Sequence, residues 1–161
     1  MPLLSVVSEE YDAFVYKLSN NGRPFSCNVS IKRKRDAYSA ALKNNEIVMN
    51  GRITCSDSPL YGEGCEGMSF GAKMRIESDG ILTANHDYIT VTDCTYIIIY
   101  SAFETNYDIE KFDIDETADY RSKLSLCIEK ILSASYDEIK ACHIKEHKKA
   151  IKKIKNICQV I

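Results

Sequence analysis

The chain has 161 residues, of which 45% are hydrophobic and 27% charged, and a net charge of -2. That length suits one ordinary domain with a core of its own, and the composition excludes a disordered or collagen-like polypeptide. The near-neutral balance excludes a general attraction to nucleic acid, and no window approaches the ~18 apolar residues of a membrane-spanning helix.

The charge is unevenly spread. Residues 136–161 hold seven lysines against Asp137, Glu138 and Glu146, so a basic C-terminal stretch follows an acidic remainder. The seven cysteines, at 27, 55, 65, 94, 127, 142 and 158, form no C-x-x-C pair and read as reduced, small core residues of a cytoplasmic protein. The first ten residues lack a basic n-region and a long apolar run, so no signal peptide is expected.

Alternation predicts a strand over Asp12–Leu18, and Ser19-Asn20-Asn21-Gly22 is turn chemistry. A second strand over Phe25–Ile31 is expected to pair with the first as a hairpin. Within it, Asn28-Val29-Ser30 spells a glycosylation sequon, which is accidental in a cytoplasmic strand. Lys32-Arg33-Lys34-Arg35 reads as a solvated strand edge rather than a phosphate site. Tyr38–Asn45 fits either a helical turn or an approach to a turn. Asn50-Gly51 predicts a two-residue hairpin between Glu46–Met49 and Arg52–Cys55. Residues 56–67, with three glycines, read as a surface connection, because a phosphate cradle needs G-K-[ST] and a following helix.

Met68–Ser101 organises the chain as consecutive antiparallel strands. Met68, Phe70, Ala72, Met74 and Ile76 alternate with Ser69, Gly71, Lys73, Arg75 and Glu77, which predicts one face on a core and one in water. After turns at Ser78-Asp79-Gly80, Asn85-His86 and Thr92-Asp93, the last strand, Cys94–Ser101, is apolar on both sides. Such a strand belongs in the middle of a sheet or between layers.

Asp113, Asp115 and Glu116 then form an acidic cluster. Paired carboxylates can do acid–base chemistry, but the reading adopted is a dipole-stabilising helix start. A helix over Ala118–Ser133 carries one apolar stripe of Tyr120, Leu124, Cys127, Ile128, Ile131 and Leu132. Ser135–Glu138 is a capping box that opens a second helix running to the end of the chain, with Ile139, Cys142, Ala150, Ile151, Ile154, Ile157, Cys158 and Ile161 on its apolar side. In it, His143-Ile144-Lys145-Glu146-His147 spells H-x-x-E-H, the zinc signature of one metallopeptidase class. The fourteen residues after His147 include no acidic residue or His to serve as a third ligand, and Lys145, Lys148 and Lys149 repel a cation. A basic helix with incidental histidines is the reading taken, with no catalytic residue, cofactor or metal assigned.

The run Ser135–His147 resembles the linker-helix segment of the α-L-fucosidase family, glycoside hydrolase family 95, whose members carry a Y-E-E-L-x-x-x-H-I-x-D type of run before their catalytic barrel. Gly67–Ile76 with the short strands after it, and Tyr96–Tyr107 ending in a T-x-Y element, are similar to that family's sandwich in the same order. The resemblance implies a mainly β chain: an antiparallel β-sandwich over 1–112, part of a larger supersandwich, followed by two helices in a linker segment over 113–161. The family's first sandwich strands have no counterpart before Met1, and its acid and base carboxylates lie in an (α/α)6 barrel beyond the linker helices. None of its catalytic residues therefore carries onto a position here.

What the resemblance implies is a non-catalytic support segment of a glycoside hydrolase. It would be inactive alone, have a catalytic barrel as partner, and self-associate through apolar surface on the second helix and a sheet edge. The rival expectation is a stand-alone carbohydrate-binding or dimerising module using Tyr61, Tyr88, Tyr107 and Phe103 as platforms. A third is a zinc site at His143, Glu146 and His147. Nucleic-acid and membrane partners are not expected.

Overall fold

The computed structural model describes residues 3–8, 10–54 and 66–158. The middle layer is a six-stranded antiparallel sheet in the order β1 (Leu3–Ser8), β2 (Ala13–Ser19), β9 (Tyr96–Thr105), β6 (Glu66–Ser78), β5 (Glu46–Thr54) and β4 (Ala37–Leu42). One face carries a three-stranded sheet of β3 (Phe25–Ser30), β8 (Tyr88–Cys94) and β7 (Ile81–Ala84); the other carries α1 (Tyr120–Leu132) and α2 (Tyr136–Cys158). A short hairpin, β10 (Tyr107–Asp108) and β11 (Asp113–Ile114), joins β9 to α1. The fold is the mainly antiparallel β-sandwich with two C-terminal helices that the sequence predicts.

The doubly apolar strand explains the layering. β9 lies between β2 and β6, and over Ile97–Ala102 its two faces meet the helices on one side and the small sheet on the other. Ile98, Tyr100 and Ala102 pack with Leu124, Ile128 and Ile131 of α1, while Ile97 joins Val29, Ile89 and Val91 of the small sheet. The stripe predicted for α1 is the buried one: Tyr120, Leu124, Ile128 and Ile131 are buried, with Cys127 and Leu132 packed against them.

Six local expectations are corrected. β2 and β3 are not a hairpin: β2 pairs with β1 and β9, and β3 pairs with β8 in the other sheet, so residues 20–24 cross between layers. Asn50-Gly51 is not a turn. β5 runs straight through it, and the hairpin turn falls at Asn45, which takes φ +61° between β4 and β5. Gly51 is needed for space instead, since a Cβ there would lie 2.1 Å from the Asp36 carbonyl oxygen and 2.2 Å from the Phe70 ring. Tyr38–Asn45 is mostly strand, as β4.

The second side of β6 does not face water throughout. α1 lies over Gly71, where a Cβ would meet Leu124 at 2.8 Å and Tyr120 at 2.9 Å. The acidic cluster is not in the first turn of α1, whose N-cap is Asp119, accepting from the Ser122 N–H at 3.1 Å. The apolar positions of α2 separate: Ile139 is fully buried, whereas Ala150 and Ile151 are exposed, and the side chains of Ile154, Ile157, Cys158 and Ile161 lie outside the described residues. Strand β1 was not anticipated, and Gly67 belongs to β6, while residues 56–65 of the glycine-rich connection lie outside the described residues.

The capping box forms as predicted. The Glu138 carboxylate accepts from the Ser135 N–H at 2.8 Å, and the Glu138 N–H donates to Ser135 Oγ at 3.3 Å. These bonds from Ser135 hold the Glu138 carboxyl below its ordinary range.

Candidate functional site

The small sheet leaves part of the central sheet open. Phe14 on β2 and Phe103 on β9 meet edge to face at 5.7 Å and stay 37% and 49% exposed, with Val7 of β1 also exposed. Beside them opens a cavity of about 400 Å³ lined by Met49, Met68, Phe70, Phe103 and Thr105. The segment after β3 crosses this groove, and Arg33 stacks its guanidinium 4.4 Å over the Phe70 ring. The basic run is therefore more than a solvated edge at this residue. Lys32 pairs with Asp87 at 2.8 Å, and Lys34 and Arg35 are exposed. The groove's lining is an apolar floor with one cation and one carboxylate, Arg33 and Glu104.

A second groove, of about 460 Å³, lies on the helical side where α1 stops short of β4. It is lined by Tyr38, Asn50, Arg52, Ser69, Tyr120 and Arg121. Arg52 is held in place, donating to the Gly67 carbonyl at 3.1 Å and pairing with Glu116 at 2.7 Å.

The H-x-x-E-H run does not converge on a common point. His143 Nδ1 lies 2.6 Å from the Val7 carbonyl oxygen, which can only accept, so that nitrogen carries the proton. Glu146 turns away, taking the Glu10 N–H at 3.3 Å and the Cys142 thiol at 3.5 Å. The two imidazoles stack at 6.0 Å. The residues brought together are Glu10, Cys142 and Glu146, whose ligand atoms lie within 4.8 Å of one another, as do those of Asp12, Glu104 and Cys127. In the first group the thiol donates to Glu10 at 3.0 Å, and this bond, with partial burial and Glu146, pushes the Cys142 thiol up to about 11. A thiol so placed is a hydrogen-bond donor and a poor nucleophile.

The acidic residues before α1 are spent on local structure. Asp115 accepts from the Thr117 N–H and hydroxyl, at 2.9 and 2.6 Å, and Asp108 pairs with Lys111 at 2.8 Å; these partners hold both carboxyls below their ordinary range. Asn106, which no sequence pattern singled out, anchors the hairpin. It is buried, takes the Ser69 N–H on Oδ1 at 2.8 Å, donates its own N–H to the Ser69 carbonyl at 3.1 Å, and accepts the Asp115 N–H at 2.8 Å.

Of the four aromatic platforms considered for sugar, the three among the described residues do not share one face. Phe103 lines the first groove, Tyr107 lines a separate cavity of about 300 Å³ beside Asp115 and Lys123, Tyr88 lies in the small sheet, and Tyr61 is outside the described residues. Phe14 was missed as a surface aromatic because its strand alternates apolar residues on both faces, so pattern alone did not say which face stays open. Cys94 is fully buried, Cys27, Cys127 and Cys142 partly so, and all four are free thiols. Comparison of the chain with protein-family models and with curated proteins finds no match.

Proposed function

We propose that this chain is a non-catalytic support segment of a glycoside hydrolase resembling the α-L-fucosidases, with a helical catalytic barrel outside these residues as its partner. The observation that carries the reading is the division of α2. Its first turns are part of the sandwich, with Tyr136 and Ile139 buried in the helix–sheet core. The helix then continues to Cys158, about 35 Å in all at 1.5 Å per residue, while Ile144 and Ile151 stay 41% and 40% exposed. These two isoleucines are two turns apart on one side of the helix, among lysines that keep the rest of the surface solvated. A rigid arm with an apolar seam, fixed at one end to a sandwich, is built to seat a neighbouring unit.

The three segments of the family resemblance add to this reading. Gly67–Ile76 lies in β6, Tyr96–Thr105 forms β9, and Ser135–His147 covers the start of α2, so all three belong to the central sheet and its helical cover. Mixing the chain with a separately produced barrel of an α-L-fucosidase-like hydrolase tests the proposal. Co-elution as a complex is expected, and loss of the complex on Ile144→Asp with Ile151→Asp. Turnover of 4-nitrophenyl α-L-fucoside by the chain alone, or a barrel that ignores it, overturns the reading.

A further inference from the structure

The most exposed apolar residues on the described surface are not on α2. They are Ile109 and Phe112, 73% and 78% exposed, at the tip of the β10–β11 hairpin. Phe112 also holds φ +55°, a conformation that costs a bulky side chain free energy, so the tip accepts both strain and the exposure of an aromatic ring. The base of the hairpin is firmly held through buried Asn106, so the tip is presented by structure. Residues 107–116 carry five carboxylates against one lysine, and Glu110 and Asp113 are exposed beside the ring.

The groove over Phe70 has the complementary character. Its floor is apolar, its volume of about 400 Å³ is ample for an aromatic side chain, and Arg33 lines it together with Glu104, with the exposed Lys34 and Arg35 next along the chain from Arg33. Groove and hairpin are neighbours in the chain, since Phe103 and Thr105 line the one and Tyr107 begins the other. A knob and a hole close together on one chain let two copies fill each other's groove at once about a two-fold axis, which closes the contact at a dimer. We infer that the chain forms an isologous dimer in which Phe112 of each copy enters the Phe70–Phe103 groove of the other, and the acidic hairpin lies along the basic segment 33–35 that begins at the groove with Arg33. The contact is separate from the α2 arm, so it stands or falls independently of the barrel proposal.

Sedimentation equilibrium tests it. The wild-type chain is expected to show a monomer–dimer equilibrium that weakens as salt rises, because the charges of the hairpin and of segment 33–35 become screened. Phe112→Ser, at a position too exposed to matter for folding, should raise the dissociation constant at least about tenfold. The pair Lys34→Glu with Arg35→Glu, and separately the pair Glu110→Lys with Asp113→Lys, should each weaken self-association. An equimolar mixture of the two pairs should restore it as a heterodimer, with far-UV circular dichroism confirming that each variant keeps the wild-type fold. Three results overturn the inference: a chain that stays monomeric, including one whose groove takes an oligosaccharide or a foreign peptide instead; a dimer indifferent to Phe112→Ser; or charge variants that fail to rescue one another.

Discussion

Replacing Gly71 with Ala adds one methyl group at the point where strand and helix approach most closely. The new Cβ would lie 2.8 Å from Leu124 Cδ1 and 2.9 Å from the Tyr120 ring, where ordinary contact begins near 3.4 Å. Both neighbours are buried, at 4% and 9% exposure, so neither swings aside freely. Overpacking of this kind costs about 1–3 kcal/mol, and the stiffer unfolded chain returns about 0.4–1 kcal/mol. A net loss of up to about 2.6 kcal/mol is expected, which for a chain of this size lowers Tm by up to about 10 °C. Thermal unfolding by circular dichroism at low concentration is the assay. Combining Gly71→Ala with Leu124→Ala should give less than the sum of the two single effects, because the shortened side chain vacates the space the methyl needs. A Gly71→Ala that stabilises the protein, or a double variant with Leu124→Ala that loses the full sum, would refute the placement of α1 on β6.

Two further outcomes follow from groups described above. Asn106→Leu should cost about 1–3 kcal/mol, since the buried Ser69 N–H loses its acceptor, and hydrogen exchange should rise first at Ser69 and Asp115. Cys142 should react with iodoacetamide at pH 8 roughly two-hundredfold more slowly than an unperturbed thiol of pKa ~8.5, and Glu10→Gln should speed the reaction; equal rates in the two proteins would contradict the thiol–carboxylate bond.

The sequence made the layers legible because burial on both faces leaves a plain mark: Ile97 and Ile98 face opposite cores, and no surface strand reads that way. It made α1 and its stripe legible for the same reason, and the capping box at Ser135 because its spacing has one geometric solution. Pairing was less accessible. Asn50-Gly51 has the chemistry of a tight turn, yet Gly51 is small so that the Phe70 ring and the Asp36 carbonyl can approach, a tertiary demand that local propensity does not encode. The strand beginning at Phe25 has the right loop length to pair with β2, but its hydrogen-bonding edge is taken by β8, about sixty residues on, and its apolar side packs on the central sheet. Neither groove could be read from the chain, because each depends on where one layer ends over another. The exposed pair Ile109 and Phe112 looked irregular in sequence and gained meaning only from their place at a hairpin tip.

Native-state hydrogen exchange bears most directly on a sandwich that ends in a projecting arm. The amides of α1 should exchange only with global unfolding, as those of β9 do, while α2 should be protected to the same level near Ile139 and exchange faster beyond Ile144. Uniform protection along α2, or an α1 that exchanges independently of β9, would contradict it.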